Sequence, residues 1–331
     1  MNTETGFNEI AHRARIVSPE SYTFDGILVQ QPDGVPPPVA SGSIPPVVWQ
    51  LQHHLYERCY LGRTTISQTE PRTFTDLSPA LSAANPIGGR WDPMWMIQRI
   101  DPSGAITVTR QGKSRIVWGG EFWSSVVGKP PQIGAYVSIF VQRESAIMQP
   151  AFFFAFGDSL GDQLEELAIV RFYWNAEPDE APTLLRDLTT GLQRYCVPYR
   201  LKVLSVRELY PRPDSMVLFI AERYMRVAAT VCADVHARKA TMRGRPVPLF
   251  SKWLADGLAA AEDPANGESF GMSRCRVGAE GLWNAFVHGA TEPLAVESIV
   301  NQHVRHYGLD PDRPYLNPRS EDHLELPDNC A

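Results

Sequence analysis

Lysine is the scarcest of the common charged residues here. The 331-residue chain holds only Lys113, Lys129, Lys202, Lys239 and Lys252, against 26 arginines. Cysteine is also sparse. Cys59, Cys196, Cys232, Cys275 and Cys330 are odd in number, scattered, and never spaced as CxxC. That argues against a zinc ribbon and against a disulfide framework, and suits a reducing cytoplasm. The eight histidines contain no HExxH or comparable spacing, so no metal site is expected. No glycine-rich phosphate loop accompanies a set of magnesium-binding carboxylates, which speaks against a kinase. No apolar run is long enough to cross a bilayer, and "MNTETGFNEIAHRARIV" lacks the basic-then-apolar order of a signal peptide. The formal charge of −6 gives no electrostatic reason to bind nucleic acid. No cofactor, nucleic-acid partner or membrane association is therefore expected.

With 44% hydrophobic and 21% charged residues, the chain has the composition of a soluble globular protein. The pattern predicts an α+β fold in four stretches. Residues 1–45 are rich in Pro, Gly and Ser and read as an arm or partly disordered segment. Residues 46–165 open with a helix, "PPVVWQLQHHLYERCYLG", with Pro at its start and Gly62 beyond its end. Mostly antiparallel strands follow, including a hairpin around "DPSG" and a pair of strands in "GAYVSIFVQRESAIMQPAFFFAFGD". Residues 166–290 read β-α-β-β-α. The strands are "AIVRFYWN", "YRLKVLSV" and "SMVLFIAE". The intervening helix carries Leu184, Leu185, Leu188 and Leu192, and a longer one spans roughly 222–240. Residues 291–331 give a helix to about 306 and a polar tail.

In "VRFYWNA" the side chains alternate sharply. Phe172 and Trp174 fall on one face, and Arg171, Tyr173 and Asn175 on the other. Lys202 sits between Leu201 and Val203 on the next strand. If a crossover helix lays these two strands parallel in one sheet, possibly adjacent, Lys202 and Tyr173 face the same side. Arg171 and Arg212 then lie near the strand ends, with Ser269 and Arg274 in "ESFGMSRC". Several arginines can hold a phosphate by bidentate bonds. A lysine held neutral by burial and neighbouring cations can take a carbon-bound proton. A tyrosine can protonate a departing oxygen. Such a set would remove phosphate from phosphoserine or phosphothreonine by β-elimination. Each residue also has a plainer reading: Arg171 and Lys202 as surface charges, Tyr173 as a half-buried strand residue, Arg212 as the ion-pair partner of Asp214 at a turn, Ser269 as a helix cap. Cys196 and Cys275 read as small buried residues rather than nucleophiles.

Five segments in order, "VRFYWN", "VPYRLKVL", "YPRPDSMVLFI", "PVPLFSKWLADGLAAAEDP" and "ESFGMSRC", resemble the HopA-class family of effectors and their homologues in bacterial peptide natural-product clusters. The similarity covers most of residues 50–290. It implies a phosphothreonine-lyase-like fold for 166–290. It also implies a lyase that eliminates phosphate from a ribosomal precursor peptide of the class V lanthipeptide or thioamitide type, after a separate Ser/Thr kinase has phosphorylated it. By this resemblance Lys202 is the general base and Arg171, Arg212 and Arg274 bind phosphate. Tyr173 stands where phosphothreonine lyases carry a histidine acid. Asn175, Lys252 and Ser269 are further candidates for substrate contact. The expected partners are the phosphorylated precursor and its kinase, docked on 46–165, with exposed aromatics such as Trp91 and Trp95 as candidate contacts. Two other readings of the same residues are a non-catalytic scaffold for the kinase–peptide complex and a cyclase adding Cys thiols to dehydro residues.

Overall fold

The computed structural model describes residues 6–30, 45–63, 74–86, 88–124, 129–159, 168–210, 212–264 and 266–327. Its centre is a seven-stranded antiparallel sheet. Strand β11 (Ile169–Trp174) is an interior strand, with β13 (Met216–Ala221), the central one, on one side and β15 (Leu258–Glu262) on the other. β14 (Lys252–Ala255) closes the β15 edge. Beyond β13 come β12 (Tyr199–Leu204), β10 (Phe152–Phe156) and β9 (Glu144–Gln149). The first two strands of the expected β-α-β-β-α unit, β11 and β12, are thus parallel to each other but not adjacent. β13 inserts between them and pairs antiparallel with both. The boundary expected at residue 166 runs through this sheet, because β9 and β10 belong to it.

The alternation in "VRFYWN" now has its cause. Phe172 and Trp174, both fully buried, join Leu201, Val203 and Leu218 under α4 (Ala181–Arg194) and α5 (Met225–His236). Leu184, Leu185, Leu188 and Leu192 of α4 are entirely buried in this core, each stabilising by about 1.5–3 kcal/mol relative to exposure. Helix α4 stops at Cys196, whose φ of 51° places it in the left-handed region. Cys196 is exposed, contrary to the expectation of a buried thiol, because the terminating turn stands at the surface; Cys275 is fully buried as expected.

The opposite face carries Tyr173, Val217, Ala259 and Ala261. It is covered by α6 (Phe270–Val287), by α2 (Pro46–Leu55) with its π-helical continuation Tyr56–Tyr60, and by α1 (Gly6–Arg13) and α7 (Pro293–His306) packed around α6. Residues 6–30, expected to be an arm, are instead folded. Helix α1 buries Phe7 and Ile10 completely, and β1 (Ala14–Ser18), β2 (Ser21–Phe24) and β3 (Ile27–Gln30) form a small antiparallel sheet beside α6. Apolar periodicity outweighs the Pro/Gly content there; the Pro-rich residues 31–44 lie outside the described residues. A Cβ on Gly278 of α6 would stand 2.1 Å from the Ile10 side chain. Gly278→Val is expected to push α1 off α6 and cost about 1–3 kcal/mol, read as a lowered midpoint in urea unfolding.

A third, five-stranded sheet contains β4 (Arg90–Ile100), β5 (Ile106–Arg110), β6 (Lys113–Val117), β7 (Phe122–Ser124) and β8 (Tyr136–Val141). The expected DPSG hairpin is the β4–β5 connection. The segment expected as two strands, 134–158, forms three: β8, β9 and β10. Trp95 is core in this sheet, its Nε1 donating to Asp92 at 2.9 Å, whereas Trp91 is half exposed and packs edge-on against Phe140. Sequence reading also missed the β14–β15 hairpin. "LAAAE" has little strand propensity, yet as β15 it is wholly buried, and its small side chains let helices approach both faces of the sheet.

Candidate active site

Strand register places the candidate residues in two cross-strand rows on one sheet face. Tyr173 lies opposite Val217, Val217 opposite Lys202, and Lys202 opposite Phe154. Two residues along, Arg171 lies opposite Phe219 and Phe219 opposite Arg200. Lys202 and Tyr173 therefore share a face as expected, with Cα atoms about 10 Å apart, two strand spacings. The Phe219 ring is flanked by both guanidiniums, with Arg200 Cζ 4.4 Å and Arg171 Cζ 5.1 Å from its centroid. Lys202 Nζ stands 3.7 Å over the Phe152 ring, and Arg212 Cζ is 5.7 Å from the same ring. A cation held on an aromatic face keeps some stabilisation while losing water.

The lysine is largely buried, and burial is the main reason its pKa falls from 10.5 to about 8. Arg212, Arg171 and Arg200 push it the same way, while Asp214 opposes them. Arg212 is pinned to Asp214 by a two-pronged ion pair, with Nη2 donating to Oδ2 at 2.8 Å, the pair foreseen for the turn before β13. Arg171 donates from Nε to Asp263 Oδ2 at 2.7 Å and from Nη2 to the same oxygen. In both arginines Nη1 takes no part in the carboxylate pair. Arg171, Arg200 and Arg212 thus lie on or beside the face that carries Lys202, with Asp263 and Asp214 held on two of them.

Tyr173 is deeper than the strand pattern suggested. Its hydroxyl is buried and makes no hydrogen bond to the described residues. Burial raises its pKa to about 12, against the pull of the Arg171 charge. Its ring leans on Phe270, centroid to centroid 6.0 Å. Tyr60, also fully buried, lies beside it electrostatically and stacks with Tyr56 at 5.2 Å and 14°. Tyr56 flanks the Arg212–Asp214 pair. The two tyrosines reach the sheet because the α2 extension runs as a π-helical turn, and because α6 presents a glycine there. A Cβ on Gly271 would meet the Tyr60 ring at 2.6 Å.

The other candidates are engaged with other parts of the fold, although Arg274 lies near Arg171 and Tyr173. Arg274 is 2% exposed, yet its Nε donates to the Pro314 carbonyl at 2.6 Å and its Nη2 to that of Leu316 at 3.0 Å, tying the C-terminal segment to α6. Burial lowers its pKa to about 10, still charged at neutrality. Lys252 donates to both oxygens of Asp322 at 2.8 Å. Asn175 donates to the Pro246 carbonyl at 2.9 Å, and Ser269 caps α6 by accepting from the Met272 amide at 3.3 Å. These four are engaged in holding segments together. Pattern reading missed Phe152 and Arg200 beside Lys202, Phe219 between Arg171 and Arg200, and Tyr56 and Tyr60 beside the Arg212–Asp214 pair and Tyr173. Only "YERCY", with tyrosines one helical turn apart, left a trace in sequence.

The chain belongs to the HopA1 effector protein family, which matches it over residues 143–316, more than half its length. Two solved structures are similar. The effector protein from Pseudomonas syringae pv. tomato strain DC3000 is 22% identical over 50% of this chain and 62% of that one, with a TM-score of 0.37. The effector protein from Pseudomonas syringae pv. syringae strain 61 is 20% identical over 51% of this chain and 63% of that one, also with a TM-score of 0.37. The match thus spans less than two thirds of either neighbour. No curated protein matches the sequence. Among the described residues, no helix is long and apolar enough to cross a membrane.

Proposed function

We propose that the protein is a cytoplasmic lyase that eliminates phosphate from phosphoserine or phosphothreonine of a ribosomal precursor peptide, leaving dehydroalanine or dehydrobutyrine, and that it works without a metal after a partner kinase. The observation that carries this is Lys202, a largely buried amine with a pKa near 8 on a sheet face shared with Arg171, Arg200 and Arg212. Taking a proton from Cα has a high barrier, so charge developing at the peptide carbonyl and on the leaving phosphate must both be stabilised. A neutral Lys202 takes the Cα proton, and the electrons form the Cα–Cβ double bond. The Cβ–O bond breaks and phosphate leaves into the arginine cluster. A tyrosine of the cluster beside this face supplies a proton to the departing oxygen. Half-exposed Trp91 and its sheet offer a docking surface for peptide or kinase. The direct test is purified protein with a synthetic phosphopeptide, without metal or nucleotide, read by mass spectrometry for loss of phosphoric acid. An unchanged peptide refutes the lyase reading.

The carboxylates already on Arg171 and Arg212 favour one second reading, a scaffold that grips the complex without turning over. The pH profile separates the two. A base of pKa near 8 is about one-tenth neutral at pH 7. Elimination at limiting substrate is therefore expected to rise roughly tenfold from pH 7 and level off above pH 8, a limb absent from a scaffold.

A further inference from the structure

The proton donor to the leaving phosphate is not settled by strand register alone. Tyr173 shares a row with the base, but it is 2% exposed, its hydroxyl is enclosed, and Tyr60 and Phe270 lie against it. Tyr60 is itself buried under α6, with Gly271 pressed against its ring. A substrate oxygen reaches either hydroxyl only by displacing core. Tyr56 differs from both. It is the outermost of the three tyrosines, partly exposed, and its ring is stacked on Tyr60. It stands beside the Arg212–Asp214 pair, the same pair that flanks Lys202.

Resting on the lyase reading, we infer that Tyr56, supplied by the π-helical turn after α2, is the general acid that protonates the departing phosphate. The fixed ring stack orients its O–H, and the Arg212 guanidinium beside it brings the phosphate to the hydroxyl. Burial raises its pKa, so it stays protonated across the working range. The step balances without a further reagent. Lys202 gains the Cα proton, and Tyr56 gives its proton to the oxygen that leaves Cβ. Hydrogen phosphate departs, and the ammonium then returns a proton to the tyrosinate, with Asp214 near both groups. The donor thus comes from outside the 143–316 family match.

The test compares wild type, Tyr56→Phe and Tyr173→Phe on two peptides of one sequence, one with phosphoserine and one with O-sulfoserine. Sulfate is a weak base and leaves without a proton, so its elimination needs Lys202 but no acid. Tyr56→Phe is expected to slow phosphopeptide elimination by about 10²–10⁴-fold while leaving the sulfopeptide rate within a few-fold of wild type. Tyr173→Phe is expected to change the ratio of the two rates little. Equal losses on both peptides in Tyr56→Phe would mark a structural role and overturn the assignment, as would a selective loss in Tyr173→Phe instead. A wild type that eliminates neither peptide would refute the lyase reading itself.

Discussion

Lys202→Ala loses phosphate elimination by about 10³-fold, the scale of an acid–base group, while the fold persists. The sheet keeps the backbone bonds of β12 to β10 and β13, and the side chain lost is not part of either core. The companion result concerns stability. The folded state holds the Lys202 proton only to about pH 8, the unfolded chain to about 10.5. Between these values the unfolded state binds more protons, so stability rises with pH through that window, and below pH 8 the full penalty is present. Lys202→Met removes it, keeps the packing on Phe152, and is expected to stabilise the protein at pH 7 by up to about 3 kcal/mol. The gain should fade as pH approaches 10.5. Urea unfolding at pH 7 and pH 10 reads this directly. A methionine variant that is inactive yet more stable marks a residue kept for chemistry; one less stable than wild type at pH 7 would show that the amine's surroundings favour its charge.

The second large effect belongs to Arg274. Its two hydrogen bonds to the 314–316 carbonyls are charge-assisted and buried, each worth roughly 1.5–3 kcal/mol. Arg274→Met keeps an apolar stem of similar length but takes the guanidinium off the Phe270 ring and leaves both carbonyls without a donor. A loss of about 3–5 kcal/mol is expected, with early proteolytic cleavage of the segment beyond residue 310, whose Leu316 and Leu324 are core residues. Were Arg274 chiefly a phosphate ligand, the variant would instead keep its stability and show only a raised KM.

The elements with strong period were legible: α4 from its leucines, β11 from its alternation, the start of α2 from its proline. The family resemblance was legible from five short segments. Two kinds of feature were not. Strand order is fixed by long-range pairing, so nothing local announces that β13 separates β11 from β12. Burial of polar groups depends on what covers them. The Arg212–Asp214 pair, two residues apart, was legible, whereas nothing local shows that the fold brings Asp263 onto Arg171. For the same reason nothing local announces that Lys252 and Arg274 bond to a segment about 40–70 residues away. The tyrosines escaped notice because helix spacing shows that they lie one turn apart but not that they land on the sheet.

The glycine-lined face of α6 has a consequence for where the protein may be cut. Residues 143–316 supply the whole seven-stranded sheet, but the covering of its Tyr173 side draws Phe7, Ile10, Leu51, Leu55 and Tyr60 from upstream. Trimmed to the family segment, the chain would present a bare, oily slab with Gly271 and Gly278 as empty notches along it. The Arg212–Asp214 pair and Tyr173 would then lose Tyr56 and Tyr60 from beside them and meet bulk water.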